Sequence, residues 1–138
     1  MIVDISKLSQ LDDFAQSFSQ SLKKGDIIYL QGDLGSGKTT FTQMLLKCLS
    51  YSGRVKSPTY AIYESYELDD FNLIHMDLYR IGSAEELYYL ALDEIFDGDN
   101  VVIIEWPDMG RGTLLKATKT LSFELVNAVK RHLMLHIT

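Results

Sequence analysis

The segment from Gly32 to Thr39 constrains the fold of this chain more than any other part of the sequence. It reads Gly-Asp-Leu-Gly-Ser-Gly-Lys-Thr and satisfies the pattern G-x-x-x-x-G-K-[ST] at every fixed position. Residues 26–31, which include the apolar run Ile-Ile-Tyr-Leu, are predicted to form a buried strand, and residues 39–49 a helix. A strand, a glycine-rich loop and a helix in this order predict a loop that binds phosphate.

Glycine suits such a loop because a chain without Cβ atoms can wrap closely around an anion. Backbone N–H groups then converge on phosphate oxygens, and the start of the following helix adds a favourable dipole. Lys38 is expected to bridge the β- and γ-phosphates of a nucleotide, and the Thr39 hydroxyl to bind Mg²⁺. The predicted nucleotide-binding residues of this segment are Gly32, Asp33, Leu34, Gly35, Ser36, Gly37, Lys38, Thr39 and Thr40.

Two acidic residues follow apolar runs elsewhere in the chain, Asp77 after residues 73–76 and Glu105 after residues 101–104. In an open α/β sheet, the carboxyl ends of neighbouring strands meet beside the ligand site, and a P-loop site needs a carboxylate near its metal. We assign Asp77 to Mg²⁺, directly or through water, and Glu105 to polarising the attacking water. A surface position at a strand end is the alternative for either acid. The predicted catalytic residues are Glu105 and Lys38, and the predicted metal site contains Thr39, Asp77 and Glu105.

Four further residues lie in or beside these motifs. Thr59, in a loop, is either a switch residue that senses the γ-phosphate or a turn-end threonine. Arg80 is expected to pair with Asp77 in preference to contacting the γ-phosphate. Trp106 is a nucleotide or partner contact or a core aromatic residue, and His75 is predicted to be packed or hydrogen-bonded instead of a metal ligand.

Apolar strands that alternate with helical patterns predict an α/β fold, a three-layer P-loop NTPase-like fold with a mostly parallel central sheet. Residues 1–138 are expected to form a single P-loop ATPase domain. The predicted helices are residues 10–22, capped by Ser9, and a short one from Ser83, with Glu86 completing a capping box, to Leu90. The other predicted strands are residues 1–4, 60–66, 71–76, 101–104, 120–126 and 133–137.

Charge and composition limit the partners of this chain. Its 19 acidic and 13 basic residues give a net charge of −6, the wrong sign for a protein that neutralises nucleic-acid phosphates by itself. The acidic segments around residues 64–70 and 85–99 are either a solvated surface or a docking face for a basic partner. Because no apolar run approaches the roughly 18 residues needed to cross a bilayer, we expect no membrane association and a cytoplasmic protein. The single cysteine, Cys48, is assigned no role.

Four sequence blocks together resemble the TsaE (YjeE) family. They are residues 32–40, Ser57-Pro58-Thr59-Tyr60, the hexapeptide His-Met-Asp-Leu-Tyr-Arg at 75–80, and Glu-Trp-Pro at 105–107. Their order and spacing match the family over most of residues 25–110. Ala61 departs from the threonine that is often found at its position, and the segment after Arg111 matches weakly.

The resemblance implies a bacterial ATPase that uses ATP and Mg²⁺ to support the formation of N6-threonylcarbamoyladenosine at adenosine 37 of tRNAs that read ANN codons. It further implies that the protein acts with TsaD and TsaB, meets tRNA only through these partners, and does not transfer the threonylcarbamoyl group itself. Family roles carry over to Lys38 and Thr39 for phosphate and Mg²⁺, to Thr59 as a switch and to Asp77 for the metal. Glu105 and Trp106 correspond to the nucleotide pocket.

Three other functions would use the same loop. A small-molecule P-loop kinase is the main alternative, but it usually needs a basic lid, and the four arginines of this chain are scattered. A GTPase would need a segment that reads guanine, and Thr118-Lys119-Thr120-Leu121 lacks the required acid. A regulatory nucleotide binder without hydrolysis is disfavoured by the presence of both Asp77 and Glu105.

Overall fold

A seven-stranded sheet organises the computed structural model, which describes residues 1–55 and 62–137. Two longer helices flank it, α1 (Leu8–Ser21) and α2 (Lys38–Cys48), together with a short helix α3 (Leu92–Ile95) and 3₁₀ helices at Ala84–Tyr89 and Pro107–Gly110. The strands are β1 (Ile2–Asp4), β2 (Ile27–Gln31), β3 (Tyr63–Glu67), β4 (Asn72–Asp77), β5 (Val101–Glu105), β6 (Lys119–Leu125) and β7 (Arg131–Ile137).

The strands lie in the order β1-β7-β6-β2-β5-β4-β3. The four central strands, β6, β2, β5 and β4, are parallel, whereas β1 with β7, β7 with β6, and β3 with β4 are antiparallel. The prediction of a mostly parallel sheet is therefore correct for the centre and wrong for the sheet as a whole, which is mixed. The reason is that short connections join β3 to β4 and β6 to β7, and a short connection between adjacent strands gives an antiparallel pair.

One face of the sheet packs against α1 and α2. Alternate residues of the central strands point to this face, including Ile28, Leu30, Leu73 and Ile103, and all are buried. Four phenylalanine rings fill the space between helices and sheet, with centroids 5.7 to 5.9 Å apart, and they come from α1, α2 and β6: Phe14, Phe18, Phe41 and Phe123. This packing holds α2, and the loop before it, against β2.

The opposite face is covered by shorter elements. The remaining strand residues, such as Ile74, Met76 and Val102, pack there against Leu87 of the first 3₁₀ helix and Ile95 of α3. The three layers predicted from the sequence are present, but only one outer layer consists of long helices. The second outer layer presents exposed tyrosine and acidic side chains to solvent.

The capping of two predicted helices differs from the structure. Lys7 is the residue before α1, not Ser9, and its backbone N–H donates to Gln10 Oε1 at 2.9 Å. Gln10 therefore satisfies a backbone donor at the helix start, and Ser9, the predicted cap, lies within the first turn of α1. Ser83 is the residue before the 3₁₀ helix, as predicted, but its side chain makes no capping hydrogen bond. Glu86 Oε2 accepts the backbone N–H of Gly82 instead.

The strand boundaries agree with the predictions to within two residues, except at the start of β3. Residues 60 and 61 of the predicted third strand lie outside the described residues, and β3 begins at Tyr63. Asp77 and Glu105 are the last residues of β4 and β5 and do not follow them. None of the helices in residues 1–55 and 62–137 is long and apolar enough to cross a membrane.

Candidate nucleotide-binding site

The glycine-rich loop runs from the end of β2 straight into α2, which begins at Lys38. Gly32, Gly35 and Gly37 have φ angles of 145°, 77° and 110°, a region that glycine adopts without strain. A Cβ atom on Gly32 would lie 2.7 Å from the Phe123 carbonyl oxygen and 2.8 Å from Ser36 Oγ. The loop conformation therefore excludes any other residue at position 32, whereas a Cβ atom on Gly35 would meet open space.

Ser36 lies at the base of this loop. Its Oγ is buried and has no hydrogen-bond partner within the described residues, where only one other side-chain polar atom, His75 Nδ1, shares that state. A buried hydroxyl without a partner is costly, so it is rare in folded proteins. This polar atom and the glycines around it fit a loop that closes on an anion.

Lys38 is buried at the start of α2. Its Nζ donates to the Gly32 carbonyl at 2.6 Å and lies 3.9 Å from the centroid of the Trp106 ring. Burial lowers the pKa of Lys38, and the nearby carboxylates of Glu105, Asp77 and Asp33 partly oppose this effect. A cation held by one carbonyl and an aromatic face is well placed to take an anionic ligand.

Strand alternation explains why both acids face the glycine-rich loop. On β4 the residues that point towards α2 are Leu73, His75 and then Asp77, and on β5 Glu105 follows Ile103 on the same side. Asp77 and Glu105 are direct neighbours in the parallel pairing of the two strands. The face that is apolar along most of its length therefore ends in two carboxylates.

Asp77 is half-buried, and its Oδ1 accepts the backbone N–H of Tyr79 at 3.0 Å. Burial raises the pKa of Asp77; the Tyr79 hydrogen bond lowers it, and the charge of Glu105 raises it further. The predicted ion pair with Arg80 is not among the ion pairs of residues 1–55 and 62–137. Arg80 is exposed and lines the cleft described below.

Glu105 is only 3% exposed and forms a close pair with His75 on the neighbouring strand. The distance from His75 Nε2 to Glu105 Oε2 is 2.6 Å. An ionised Glu105 carboxylate can only accept a hydrogen bond, so in that state Nε2 is the donor of the pair. The prediction that His75 is packed and hydrogen-bonded is confirmed, and the pair fixes one oxygen of Glu105.

Trp106 adopts left-handed backbone angles, φ 57° and ψ 52°, immediately after β5. This region is uncommon for a bulky residue and often marks a functional site. The turn places the indole ring over Lys38 and 5.0 Å from the centroid of the Tyr79 ring. Of the two alternatives for Trp106, a ring at the rim of the cleft describes its position better than a fully buried core residue.

These elements enclose a cleft of about 430 Å³, a volume in the range of small-ligand sites. It is lined by nine of the predicted site residues: Leu34, Gly35, Gly37, Lys38, Thr39, Thr40, Asp77, Glu105 and Trp106. Gly32 and Asp33 line a smaller neighbouring cavity, and Ser36 is buried below the loop. Thr59 lies outside the described residues. The structure therefore brings the phosphate-loop and acidic residues together.

Tyr79 and Arg131 also line the cleft, and sequence reasoning assigned neither to it. Tyr79 belongs to the hexapeptide motif, so its proximity to Asp77 was a usable signal. Arg131 belongs to no motif and is the first residue of β7, on the far side of β6 from the phosphate loop. Only the strand order brings it to the cleft.

The described residues contain no cluster of three or more histidine, cysteine or acidic side chains that could hold a metal by itself. This donor set fits Mg²⁺, which typically binds one or two protein oxygens together with substrate phosphates and water. Thr39 and Asp77 both line the cleft and would be the protein ligands. The cleft does not resemble a zinc or calcium site, which would require more protein donors.

Comparison with known proteins identifies the family of this chain. The family model "Threonylcarbamoyl adenosine biosynthesis protein TsaE" matches residues 5–133. A curated relative from Haemophilus influenzae is 38% identical, over 75% of this chain and 69% of its own, and one from Rickettsia prowazekii is 33% identical over 96% and 92%. A relative from Borreliella burgdorferi is 35% identical over 93% and 94%. All three are named tRNA threonylcarbamoyladenosine biosynthesis protein TsaE.

The fold is also shared with a solved structure. The crystal structure of Bacillus subtilis YdiB superposes with a TM-score of 0.83 at 26% sequence identity, over 100% of this chain and 86% of that one. The chain belongs to the TsaE family, whose proteins take part in the biosynthesis of threonylcarbamoyladenosine in tRNA.

Proposed function

We propose that this protein is a Mg²⁺-dependent ATPase with a P-loop NTPase-like fold. The observation that carries the proposal is the cleft that joins the phosphate loop, Lys38 and Thr39 to the carboxylates at the ends of β4 and β5. A phosphate loop beside strand-end acids at a sheet edge is the arrangement that phosphoryl-transfer sites use. We further propose that ATP is hydrolysed to sustain the TsaD–TsaB transferase while it forms N6-threonylcarbamoyladenosine at adenosine 37 of tRNAs that read ANN codons.

Each side chain has a defined task in this proposal. Lys38 would leave the Gly32 carbonyl to neutralise charge between the β- and γ-phosphates, and Thr39 and Asp77 would hold Mg²⁺, directly or through water. Bound Mg²⁺ would neutralise charge on the phosphate oxygens during the reaction. Glu105, oriented by His75, would polarise the attacking water through the oxygen that His75 leaves free.

The acidic charge of the chain supports an indirect relation to tRNA. With a net charge of −6, the protein does not attract nucleic-acid phosphates, so tRNA would be held by TsaD and TsaB homologues. Because its partners would act on cellular tRNA, we expect the protein to be cytoplasmic. In this proposal the tRNA never contacts the cleft, which is reserved for the nucleotide.

A small-molecule P-loop kinase remains the alternative, since it would use the same loop to pass the γ-phosphate to a hydroxyl group. The two functions differ in what accepts the phosphoryl group. A hydrolase releases inorganic phosphate without any added acceptor, whereas a kinase without its acceptor does so only as a side reaction. Phosphate release without an acceptor, and its increase when TsaD and TsaB homologues are added, therefore separates the two functions.

The test compares Lys38→Ala with Lys47→Ala, an exposed lysine near the end of the same helix. A charged hydrogen bond contributes about 1.5–3 kcal/mol, so we expect Lys38→Ala to weaken Mg·ATP binding about 10- to 100-fold in calorimetric titrations. Lys47→Ala should bind normally. Multiple-turnover formation of threonylcarbamoyladenosine should fail with Lys38→Ala alone, and equal modification by both variants would contradict the proposed function.

A further inference from the structure

We propose that Arg80 is a catalytic residue that contacts the γ-phosphate in the transition state of ATP hydrolysis. The proposal rests on the ATPase function proposed above and adds a residue to that site. Arg80 lines the cleft together with Asp77 and Glu105, the last residues of β4 and β5. It therefore lies on the side of the cleft where Glu105 would act on the attacking water.

A short turn after β4 fixes the backbone on both sides of Arg80. Leu78 is fully buried, and its N–H donates to the carbonyl of the last residue of β5 at 3.1 Å. Ile81 is also buried, and its N–H donates to the Leu78 carbonyl at 3.3 Å. Between them, the backbone N–H of Tyr79 donates to Asp77 Oδ1 at 3.0 Å. The turn is therefore attached to the two strands that carry the acids.

The side chain of Arg80 is not tied to either of these acids. It is exposed, and it takes part in no ion pair within residues 1–55 and 62–137. One oxygen of Glu105 is held by His75, and one oxygen of Asp77 by a backbone N–H. Because arginine forms two parallel hydrogen bonds to phosphate oxygens, a phosphate group is a matching partner for the free guanidinium.

Position separates Arg80 from the other cations that line the cleft in the described part of the chain. Lys38 lies at the start of α2, where its Nζ contacts the Gly32 carbonyl of the phosphate loop. Arg131 begins β7, on the opposite side of β2 from β5 and β4. Arg80 alone comes from the turn beside the acids. It is therefore the cation placed to meet the phosphoryl group that reacts with water.

The chemistry of hydrolysis gives this cation a task. The water oxygen bonds to the γ-phosphorus while the bond from phosphorus to the bridging oxygen breaks, and the electron pair of that bond stays on ADP. One water proton passes through Glu105 to solvent, and the other stays on the phosphate product. Negative charge is spread over the γ-phosphate oxygens in the transition state, and an arginine placed there accelerates the reaction by about 10³–10⁵ where it has been measured.

The test compares the rate of hydrolysis with the binding of a stable mimic of the transition state. Phosphate release is measured with the chain alone and with TsaD and TsaB homologues, and calorimetry gives dissociation constants for Mg·ATP and for Mg·ADP with aluminium fluoride. For Arg80→Ala we expect kcat to fall by at least about 100-fold and the mimic to bind more weakly by a similar factor. Mg·ATP binding should change by no more than about twofold, because the contact forms in the transition state.

Two further variants control this experiment. Arg80→Lys should give a kcat between those of Arg80→Ala and the parent, because lysine keeps the charge but loses the paired donors. Arg111→Ala removes an exposed arginine that pairs with Asp108 and does not line the cleft. It should leave kcat and both dissociation constants within about twofold of the parent values. Thermal unfolding without ligand should be the same for all variants, because both arginines are exposed.

Three results would contradict the role of Arg80. An unchanged kcat and unchanged binding of the mimic in Arg80→Ala would overturn it, and so would a full rate of this variant in the presence of TsaD and TsaB homologues. Equal weakening of Mg·ATP and of the mimic would make Arg80 a ground-state contact instead. A parent protein that neither binds Mg·ATP nor releases phosphate would refute the proposed function.

Discussion

The face of the sheet that packs against α1 and α2 differs from the opposite face in its covering elements and in the polarity of its strand ends. On the helix-covered face, a closely packed aromatic cluster around Phe41 continues into the pair His75 and Glu105. The opposite face is covered by 3₁₀ helices and the four-residue helix α3, and it exposes Tyr88 and Tyr89.

The helix-covered face therefore carries both the aromatic packing and the carboxylate that is proposed to act on water. A carboxylate that must keep its orientation benefits from a rigid, water-poor neighbourhood, and the long helices provide it. The opposite face carries Glu85, Glu86, Asp93, Glu94, Asp97 and Asp99, all exposed. Like charges on short elements contribute little to packing, so we expect substitutions on the two faces to have very different consequences.

The largest effect should come from the aromatic cluster. Phe41→Ala removes a ring that is 0% exposed and in contact with three others, and we expect the free energy of unfolding to fall by about 3–5 kcal/mol. Phe96→Ala is the matched change on the opposite face, where the ring is half-buried, and it should cost roughly half as much. Urea unfolding of both variants measures the difference, and equal losses would contradict the contrast between the faces.

The next effect concerns the polar end of the helix-covered face. His75→Phe leaves Glu105 Oε2 buried without its partner, so we expect a loss of about 1–3 kcal/mol in stability. Phosphate release should slow by at least about tenfold, the usual effect of losing a group that orients a functional side chain. Mg·ATP binding should change little, because His75 does not line the cleft.

His75→Gln supplies the control for that prediction. Glutamine retains an N–H donor that can reach a neighbouring carboxylate, so it should restore most of the hydrolysis rate that His75→Phe loses. Steady-state phosphate release gives kcat and KM for each variant. A purely structural role for His75 would leave both variants equally active once they are folded, and that result would contradict the orienting role.

Asp77→Asn is expected to have a smaller effect on stability, and it should stabilise the protein where the preceding variants destabilise it. Burial raises the pKa of Asp77, so the folded protein binds this proton more tightly than the unfolded chain does. The extra stability that protonated Asp77 gives the folded protein is therefore lost as pH rises from the pKa of the unfolded chain through the raised pKa of the folded one. Without nucleotide, Asp77→Asn should raise Tm by a few degrees at neutral pH, and the advantage should shrink as the pH is lowered.

The expected effect of Asp77→Asn on ligand binding is unfavourable. Because Asp77 is assigned to Mg²⁺, Asp77→Asn should weaken the dependence of ATP binding on Mg²⁺ while stabilising the protein alone. Thermal unfolding from acidic to neutral pH, with and without Mg·ATP, separates the two effects. A variant that is less stable at neutral pH without ligand would show that Asp77 supports the fold instead of straining it.

The smallest effect should come from the exposed tyrosines of the 3₁₀ helix. Tyr89 is 91% exposed and Tyr88 70%, so replacing both by alanine should change the free energy of unfolding by less than about 0.5 kcal/mol per site. Nucleotide binding should also be unchanged, because neither residue lines the cleft. A marked loss of stability in urea unfolding would show that this face is packed more tightly than its exposure indicates.

The sequence by itself determined the local parts of the site. The glycine-rich loop, β2, α2 and the two strand-end acids were all predictable, because glycine positions, apolar runs and helical periodicity are properties of neighbouring residues. Alternation along a strand even explains why Asp77 and Glu105 share one face. The four motif blocks also predicted the TsaE family, which the comparisons confirm.

Only the tertiary structure decided the contacts between distant segments. His75 and Glu105 are 30 residues apart and meet because β4 and β5 are neighbours, and Arg131 reaches Gly37 because β7 and β6 extend the sheet beside the phosphate loop. The mixed edges of the sheet were likewise missed. The short connections between β3 and β4 and between β6 and β7 were a local signal for these two antiparallel pairs, but the order of the central strands is set by the packing of the whole chain.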